Sequence, residues 1–275
     1  MSSSEADRSA YDAWRQLRLQ QVSGPAGNIA LVDYQRVGGA PEQVRGLPAT
    51  VHRVGDEEGV RVRPLGELEL VTASGAESIG EETLVRRLGP DGLPLLRAGS
   101  VTADVFSLDG TGYELRIYDA EAPALDDFDG IETVDHDPAW VVPAVFEAHD
   151  EVQQVPWGFT RDSDTGHTKA VPGTVRAEID GVPYAFSVFA DGPALVLVFA
   201  DATTGSESYA PGRFLRLDAV ASGAAITLDF NRAIVPPCGF SDYYSCPIPP
   251  AQNRVAAAVR AGELRARWRS GSRAH

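Results

Sequence analysis

Apolar and polar positions along this chain fall into short alternating runs, broken by glycine or proline about every ten residues, a spacing that predicts a mainly β protein. One stretch at the start departs from it. Residues 11–21, YDAWRQLRLQQ, repeat at helical intervals, with Trp14 and Leu17 on an apolar stripe, Arg15 and Arg18 off it, and Ser9 as N-cap. Strands follow at 50–54, 60–63, 67–72, 83–87, 100–107 and 113–118. The last two are joined through Leu108-Asp109-Gly110-Thr111, where Asp-Gly signals a hairpin. Residues 119–137 read as an acidic connector without strand pattern, and hence as a seam. A strand resumes over 140–148, and 155–170 reads as a polar loop.

The second half alternates more cleanly, giving strands at 174–180, 182–190, 194–200, 213–218 and 224–230. The last pair reads as a hairpin around Ser222-Gly223. Residues 194–200, ALVLVFA, are apolar at every position, so both faces of that strand must be covered. Five such strands in meander order close as a barrel or fold as a sandwich. Propensity favours a helix over 254–260, and the basic tail after Leu264 reads as a solvated end. The expected fold is therefore an antiparallel barrel or sandwich with an N-terminal helix and a Pro/Cys-rich C-terminal loop. Its parts are a lead-in at 1–27, a β-rich half at 28–130 and a C-terminal β domain at 131–275.

Charge narrows the partners. The 275 residues carry a net charge of −15 and a single lysine, Lys169. That surface repels nucleic acid and anionic membrane, and neither is expected as a partner. No apolar run approaches the roughly 18 residues of a spanning helix, and residues 1–7 lack the apolar core of a secretory signal. The expected compartment is a reducing cytoplasm, where Cys238 and Cys246 stay thiols. Seven residues separate them, more than the roughly two to four of a zinc knuckle.

Rare residue types crowd into 228–254, LDFNRAIVPPCGFSDYYSCPIPPAQNR. The segment holds both cysteines, two of the three asparagines and two Pro-Pro pairs. Paired prolines fix φ repeatedly, so it is stiff without being regular, a suitable platform for presenting side chains. Elsewhere the candidates are weaker. Asp135-His136-Asp137 offers three metal-ligand types, but adjacent strand residues point to opposite faces. Residues 162–166 read as a turn, and 201–205 as an Asx-turn leaving the central strand.

Gly212-Arg213-Phe214-Leu215, residues 228–233, Pro236-Pro237-Cys238, Cys246-Pro247-Ile248-Pro249-Pro250, Asn253-Arg254 and Ala261-Gly262-Glu263 follow one another in order. In that pattern the chain resembles the prokaryotic domain-of-unknown-function family sixteen-eighty-four. Asp201-Ala202-Thr203-Thr204-Gly205 with Tyr209 is similar to an upstream element of that family, and landmarks in the first half are sparse. Ile234-Val235 stands where the family pattern has Tyr-Asn, and Gly239 where it has Ala. The resemblance implies a β-rich soluble domain of unassigned activity.

The residues themselves lead to a small-molecule-binding domain, enzymatic or not. Its pocket is expected to be lined by Arg213, Asp229, Asn231, Arg232, Cys238, Tyr243, Cys246 and Asn253. In that reading the arginines hold an anionic small molecule, Asp229 and Asn231 orient it, and Cys238 is the candidate for covalent or redox chemistry. Nothing in the residues names a cofactor or a metal. Two alternatives stand beside it. One is a non-catalytic structural or interaction module in which Asp and Asn tie down a proline-rich loop and Arg232 and Arg254 serve its unpaired carbonyls. The other is a thiol redox switch joining Cys238 to Cys246.

Overall fold

The structure, a computed structural model, describes residues 3–89, 92–107, 112–161 and 168–271. The 108–111 turn and the 162–166 turn thus lie outside the described residues. The chain divides into two units, Arg18–Asp127 and the combination of Met1–Leu17 with Phe128–His275. Helix α1 (Ser3–Ser23) begins earlier than the pattern suggests. Its buried positions are Tyr11, Arg18 and Val22, with Trp14 half-buried, while Leu17 is 60% exposed. The stripe is thus rotated from the one expected, because Tyr11 is anchored by its hydroxyl to the Val134 carbonyl at 3.2 Å and Arg18 to Asn28 at 3.4 Å. No helix among the described residues is long and apolar enough to cross a membrane.

The unit of residues 18–127 contains β1 (Leu31–Arg36), β2 (Glu42–Gln43), β3 (Ala49–His52), β4 (Val60–Pro64), β5 (Glu69–Thr72), β6 (Gly75–Ser78), β7 (Thr83–Val85), β8 (Leu95–Ala98), β9 (Val101–Phe106) and β10 (Glu114–Asp119). They form antiparallel sheets in the orders β1-β10-β9-β8-β5-β6 and β2-β3-β4-β7. Strict alternation supplies the core: Ala103 and Val105, Leu115 and Ile117, Ala49 and Val51, Val60 and Val62 all pack into one cluster. A short helix α2 (Pro123–Asp127) ends the unit.

The other unit contains β11 (Phe128–Thr133), β12 (Val141–Pro156), β13 (Thr168–Ile179), β14 (Val182–Asp191), β15 (Ala194–Phe199), β16 (Arg213–Asp218), β17 (Ala225–Asp229) and β18 (Glu263–Trp268). Its main sheet runs β16-β15-β14-β13-β12-β17, antiparallel throughout. The two edge strands approach each other, so the sheet is a nearly closed barrel. Strand β15 is covered on both sides as its sequence requires. Leu195, Leu197 and Phe199 join the barrel core, and Val196 and Val198 join a second cluster with Trp157, Val171 and Phe189.

Three expectations are corrected here. Strand β17 is no hairpin partner of β16; it pairs with β12 across Val141–Asp229 through Val145–Ala225. That placement gives the exposed edge of β12 a ladder and brings the barrel close to closure. The acidic connector and the basic tail each contribute a strand, because β11 and β18 pair with each other. Opposite charges meet across that ladder, with Arg265 on Glu132 at 2.8 Å and Arg267 on Asp129 at 3.6 Å. Finally, residues 254–260 are not helical; a single 3₁₀ turn at Ala251–Asn253 leads into irregular chain. Val255, Val259 and Ala261 from that chain fill the barrel core, and tertiary burial outweighs local propensity.

One buried carboxylate in the 18–127 unit carries a pH signature. Asp104 on β9 is 3% exposed. The Tyr118 hydroxyl donates to Oδ2 at 3.1 Å, while Oδ1 has no hydrogen-bond partner among the described residues. Burial raises its pKa above the ordinary carboxylate value, against smaller opposing effects of Arg116 and Tyr118. The folded state therefore favours the protonated acid. Its stabilising contribution is complete below the unfolded carboxylate pKa and is lost as pH rises through the higher folded value. Asp104→Asn removes the charge at nearly constant size. Urea unfolding as a function of pH is expected to show the variant more stable than wild type near neutrality, with the advantage vanishing in acid.

Candidate functional site

The Pro/Cys segment starts where β17 ends. Asp229 caps a 3₁₀ turn, Phe230–Arg232, by accepting from the Asn231 backbone N–H at 3.2 Å. Ile234 then exchanges backbone bonds of 2.8 and 3.0 Å with Phe214. The segment thereby takes up hydrogen-bonding groups on β16 that the barrel itself leaves open. A second 3₁₀ turn, Pro237–Gly239, presents Cys238. Further on, residues 246–248 lie against 158–160. Thr160 N–H donates to the Cys246 carbonyl at 2.9 Å, Cys246 N–H to Thr160 Oγ1 at 3.0 Å, and Trp157 Nε1 to the Ile248 carbonyl at 2.8 Å.

Arg213 is fully buried. Its Nη2 donates to Asp201 Oδ2 at 2.7 Å and the Val259 carbonyl at 2.7 Å, and its Nη1 to the carbonyls of Ala261 at 2.6 Å and Glu263 at 3.1 Å. Burial lowers its pKa and the Asp201 carboxylate opposes that. Both ends of the guanidinium are thus committed to protein groups. The carbonyls that Arg213 serves lie beyond the proline-rich loop, in the chain that follows it.

Asn231 and Asn253 are fully buried and act as substitute peptide groups. Asn231 Oδ1 accepts from Asp137 N–H at 2.8 Å while its Nδ2 donates to the Asp137 carbonyl at 3.0 Å and to Asp229 Oδ1 at 2.9 Å. Asn253 does the same to Ser187, at 2.9 and 2.8 Å, and also donates to the Val198 carbonyl at 2.8 Å. Strands β14 and β15 pair only over Phe189–Asp191, so Asn253 fills the gap in the barrel wall beyond that ladder. Arg232 is half-exposed, 3.3 Å from Asp229 and 5.9 Å over the Trp14 ring, and Tyr243 is 40% exposed. Arg213, Asn231, Asn253 and Arg232 are each bonded to a different set of protein groups.

The chemistry concentrates on the two sulfurs. Cys238 and Cys246 are both free thiols, each 5% exposed. The Cys238 backbone N–H donates to Cys246 Sγ at 3.3 Å. Hydrogen bonding from Cys246 lowers the Cys238 pKa, burial opposes it, and the hydroxyls of Tyr209 and Thr160 lower it further. The Tyr209 phenol is pushed far up, first by burial and then by the neighbouring Cys238 charge, so it stays a donor. Tyr209 and Thr160 were not among the expected pocket residues, since each lies well outside the 228–254 window. Asp201 was expected only as an Asx-turn residue. It makes that turn, accepting from Thr203 N–H at 2.7 Å, and also carries the ion pair to Arg213. His136 packs on Tyr11 and Asp137 caps the 3₁₀ turn Pro138–Trp140. Among the described residues no group of three metal-ligand side chains converges.

Fold and site together define an antiparallel β-barrel protein with an internal pair of free thiols held by a proline-rich segment. Residues 126–264 match the family described as "Protein of unknown function (DUF1684)", and the chain belongs to that family. A solution NMR structure of the uncharacterized protein from gene locus rrnAC0354 of Haloarcula marismortui is 37% identical, covering 50% of this chain and 78% of that one, with a TM-score of 0.43. No curated protein matches the chain.

Val235 and Gly239 are linked by packing. A Cβ at Gly239 would sit 2.3 Å from Val235 Cγ1. Valine at 235 therefore requires glycine at 239. Gly239→Ala alone is expected to cost about 1–3 kcal/mol, and most of that cost should disappear in a Val235→Ala background, measured as a double-mutant cycle by urea unfolding. By the same measurement, Arg213→Met should destabilise the 128–275 unit by about 3–5 kcal/mol, since it leaves Asp201 buried without its partner.

Proposed function

We propose that the barrel and its buried Arg and Asn anchors hold a thiol–disulfide switch, with Cys238 as the reactive thiolate and Cys246 as its partner. The observation that carries this reading is the set of groups around Cys238 that lower its pKa, the Cys246 side chain first and then the Tyr209 and Thr160 hydroxyls, while Cys238 N–H reaches Cys246 Sγ at 3.3 Å and holds the two residues together. Donors aimed at a sulfur stabilise its anion, and the thiolate is the nucleophile. With only 5% of each cysteine exposed, the oxidant that fits is a small hydroperoxide rather than a protein disulfide.

The Cys238 thiolate attacks one peroxide oxygen. The S–O bond forms as the O–O bond breaks, and the departing oxygen takes up a proton and leaves as water or an alcohol. Cys246 then attacks the sulfenic sulfur; the S–S bond forms, the S–O bond breaks and a second water leaves. Two thiols are oxidised by two electrons and the peroxide is reduced by two. The new bond closes a loop of nine residues, 238–246, for which chain entropy alone contributes about 2–3 kcal/mol.

Intact mass spectrometry after treatment with stoichiometric hydrogen peroxide tests the proposal. The expected product is the wild-type chain short of two hydrogens and melting at higher temperature. Cys246→Ser should stop at a sulfenic acid trapped by dimedone, and Cys238→Ser should give neither species. The oxidation rate should rise with pH and level off below the ordinary thiol pKa of about 8.5. Two unreacted thiols under these conditions would leave the segment a purely structural buttress.

A further inference from the structure

Lys169 lies on β13 opposite Val155, and it is the one lysine of the chain. Its ammonium sits 4.5 Å from the ring centre of Phe189 and 5.4 Å from that of Phe159. Aromatic faces favour the charged form of an amine whose stem is out of water. Burial lowers its pKa, and the charges of Asp191 and Cys246 oppose that. Phe159 forms a β-bridge with Pro247, the residue after Cys246, and the next residue, Thr160, bonds Cys246 through both its backbone and its hydroxyl. A half-buried cation is thus held against Phe159, in the same short segment whose next residue binds Cys246.

We propose that Lys169 is the positioning charge of the thiol pair: clamped by Phe159 and Phe189, its ammonium stabilises the negative charge of the pair from the Cys246 side and eases loss of the first of its two protons. The inference rests on the thiol reading above and assigns that site its cation. A cation in a poorly solvated position acts on a neighbouring thiol more strongly than one in water, because solvent does not screen it. Among the described residues, the other charged or titratable groups near the site do not supply this role. Tyr209 is a neutral donor, and Asp242 raises rather than lowers the Tyr209 pKa, so its field is negative there. Asp191 faces Lys169 but is shared with Arg216 at 2.6 Å. Arg161, next to Thr160, lies 5.8 Å over the Tyr243 ring and is exposed. Because the two thiols titrate as a pair, the effect of Lys169 is read on the pair.

Electrostatic coupling is reciprocal, which makes the test two-sided. The thiols are titrated in the reduced protein by ultraviolet thiolate absorbance, which needs no reagent to reach them. Lys169→Met should move the first thiol midpoint up by about half a pH unit or more, and Lys169→Arg should restore most of it. The amine is titrated by NMR of methyl groups placed on the lysine by reductive methylation; with one lysine in the chain, a single side-chain amine reports. There Cys246→Ser should lower the midpoint by a similar amount. An unchanged thiol midpoint in Lys169→Met, or an unchanged amine midpoint in Cys246→Ser, overturns the proposal. Should Lys169→Met fail to fold, Lys169→Arg against wild type and the amine titration decide it. Neither titration involves an oxidant. A protein that titrates as expected yet forms no disulfide loses the switch and keeps its lysine.

Discussion

A guanidinium moved fully out of water must recover its hydration from the protein, and the two terminal nitrogens of Arg213 do so with one carboxylate and three backbone carbonyls. The carbonyls of Val259, Ala261 and Glu263 belong to chain that is mostly outside any strand, so they have no ladder to satisfy them. Asp201 is held in turn by Thr203, whose hydroxyl donates to Oδ1 at 2.6 Å. The irregular chain lying across the barrel end is thereby pinned at several points by one side chain. Val259 and Ala261 are then in place to fill the core. Without the guanidinium, the same carbonyls would have to be buried unpaired or moved to solvent, and either choice empties that end of the barrel.

The asparagines solve the same problem at two other places. A carboxamide carries one acceptor and two donors, so it can bind both polar groups of a single residue as a neighbouring strand would. Asn231 does this to Asp137, and Asn253 to Ser187. Barrel, plug and thiol pair are joined in this way, for Glu263 accepts from Val235 N–H at 2.8 Å and Val235 in turn packs against the turn holding Cys238. The position of the sulfurs is consequently an outcome of the whole polar network rather than of the two proline pairs alone.

Much of the barrel was legible in the sequence where one strand reports its own surroundings. ALVLVFA has no polar face, and it is the strand covered on both sides. Strands β11 and β18 were illegible for the opposite reason. FDGIET and ELRARW carry charges on a half-exposed two-stranded sheet, and each acquires its meaning only from a partner more than a hundred residues away. The crowding of rare residues at 228–254 located the polar network but not the duty of each member. An arginine reads as a surface group on composition, and only coordinates reveal Arg213 as the most deeply committed charge in its unit. Tyr209 and Thr160 approach the sulfurs from two other parts of the chain, beyond the reach of any linear window.

The order in which the residues are synthesised gives the Arg213 network a further meaning. The 18–127 unit is continuous in sequence and can complete itself while the ribosome is still working. The barrel unit must wait longer, since the carbonyls that receive Arg213 lie about fifty residues downstream of it. At typical elongation rates that gap lasts on the order of a few seconds, during which β12 to β16 exist without their closing plug. A nascent barrel with an uncommitted arginine and open sheet edges is the species a chaperone would meet, and its lifetime is set by translation rather than by the folding of the strands themselves.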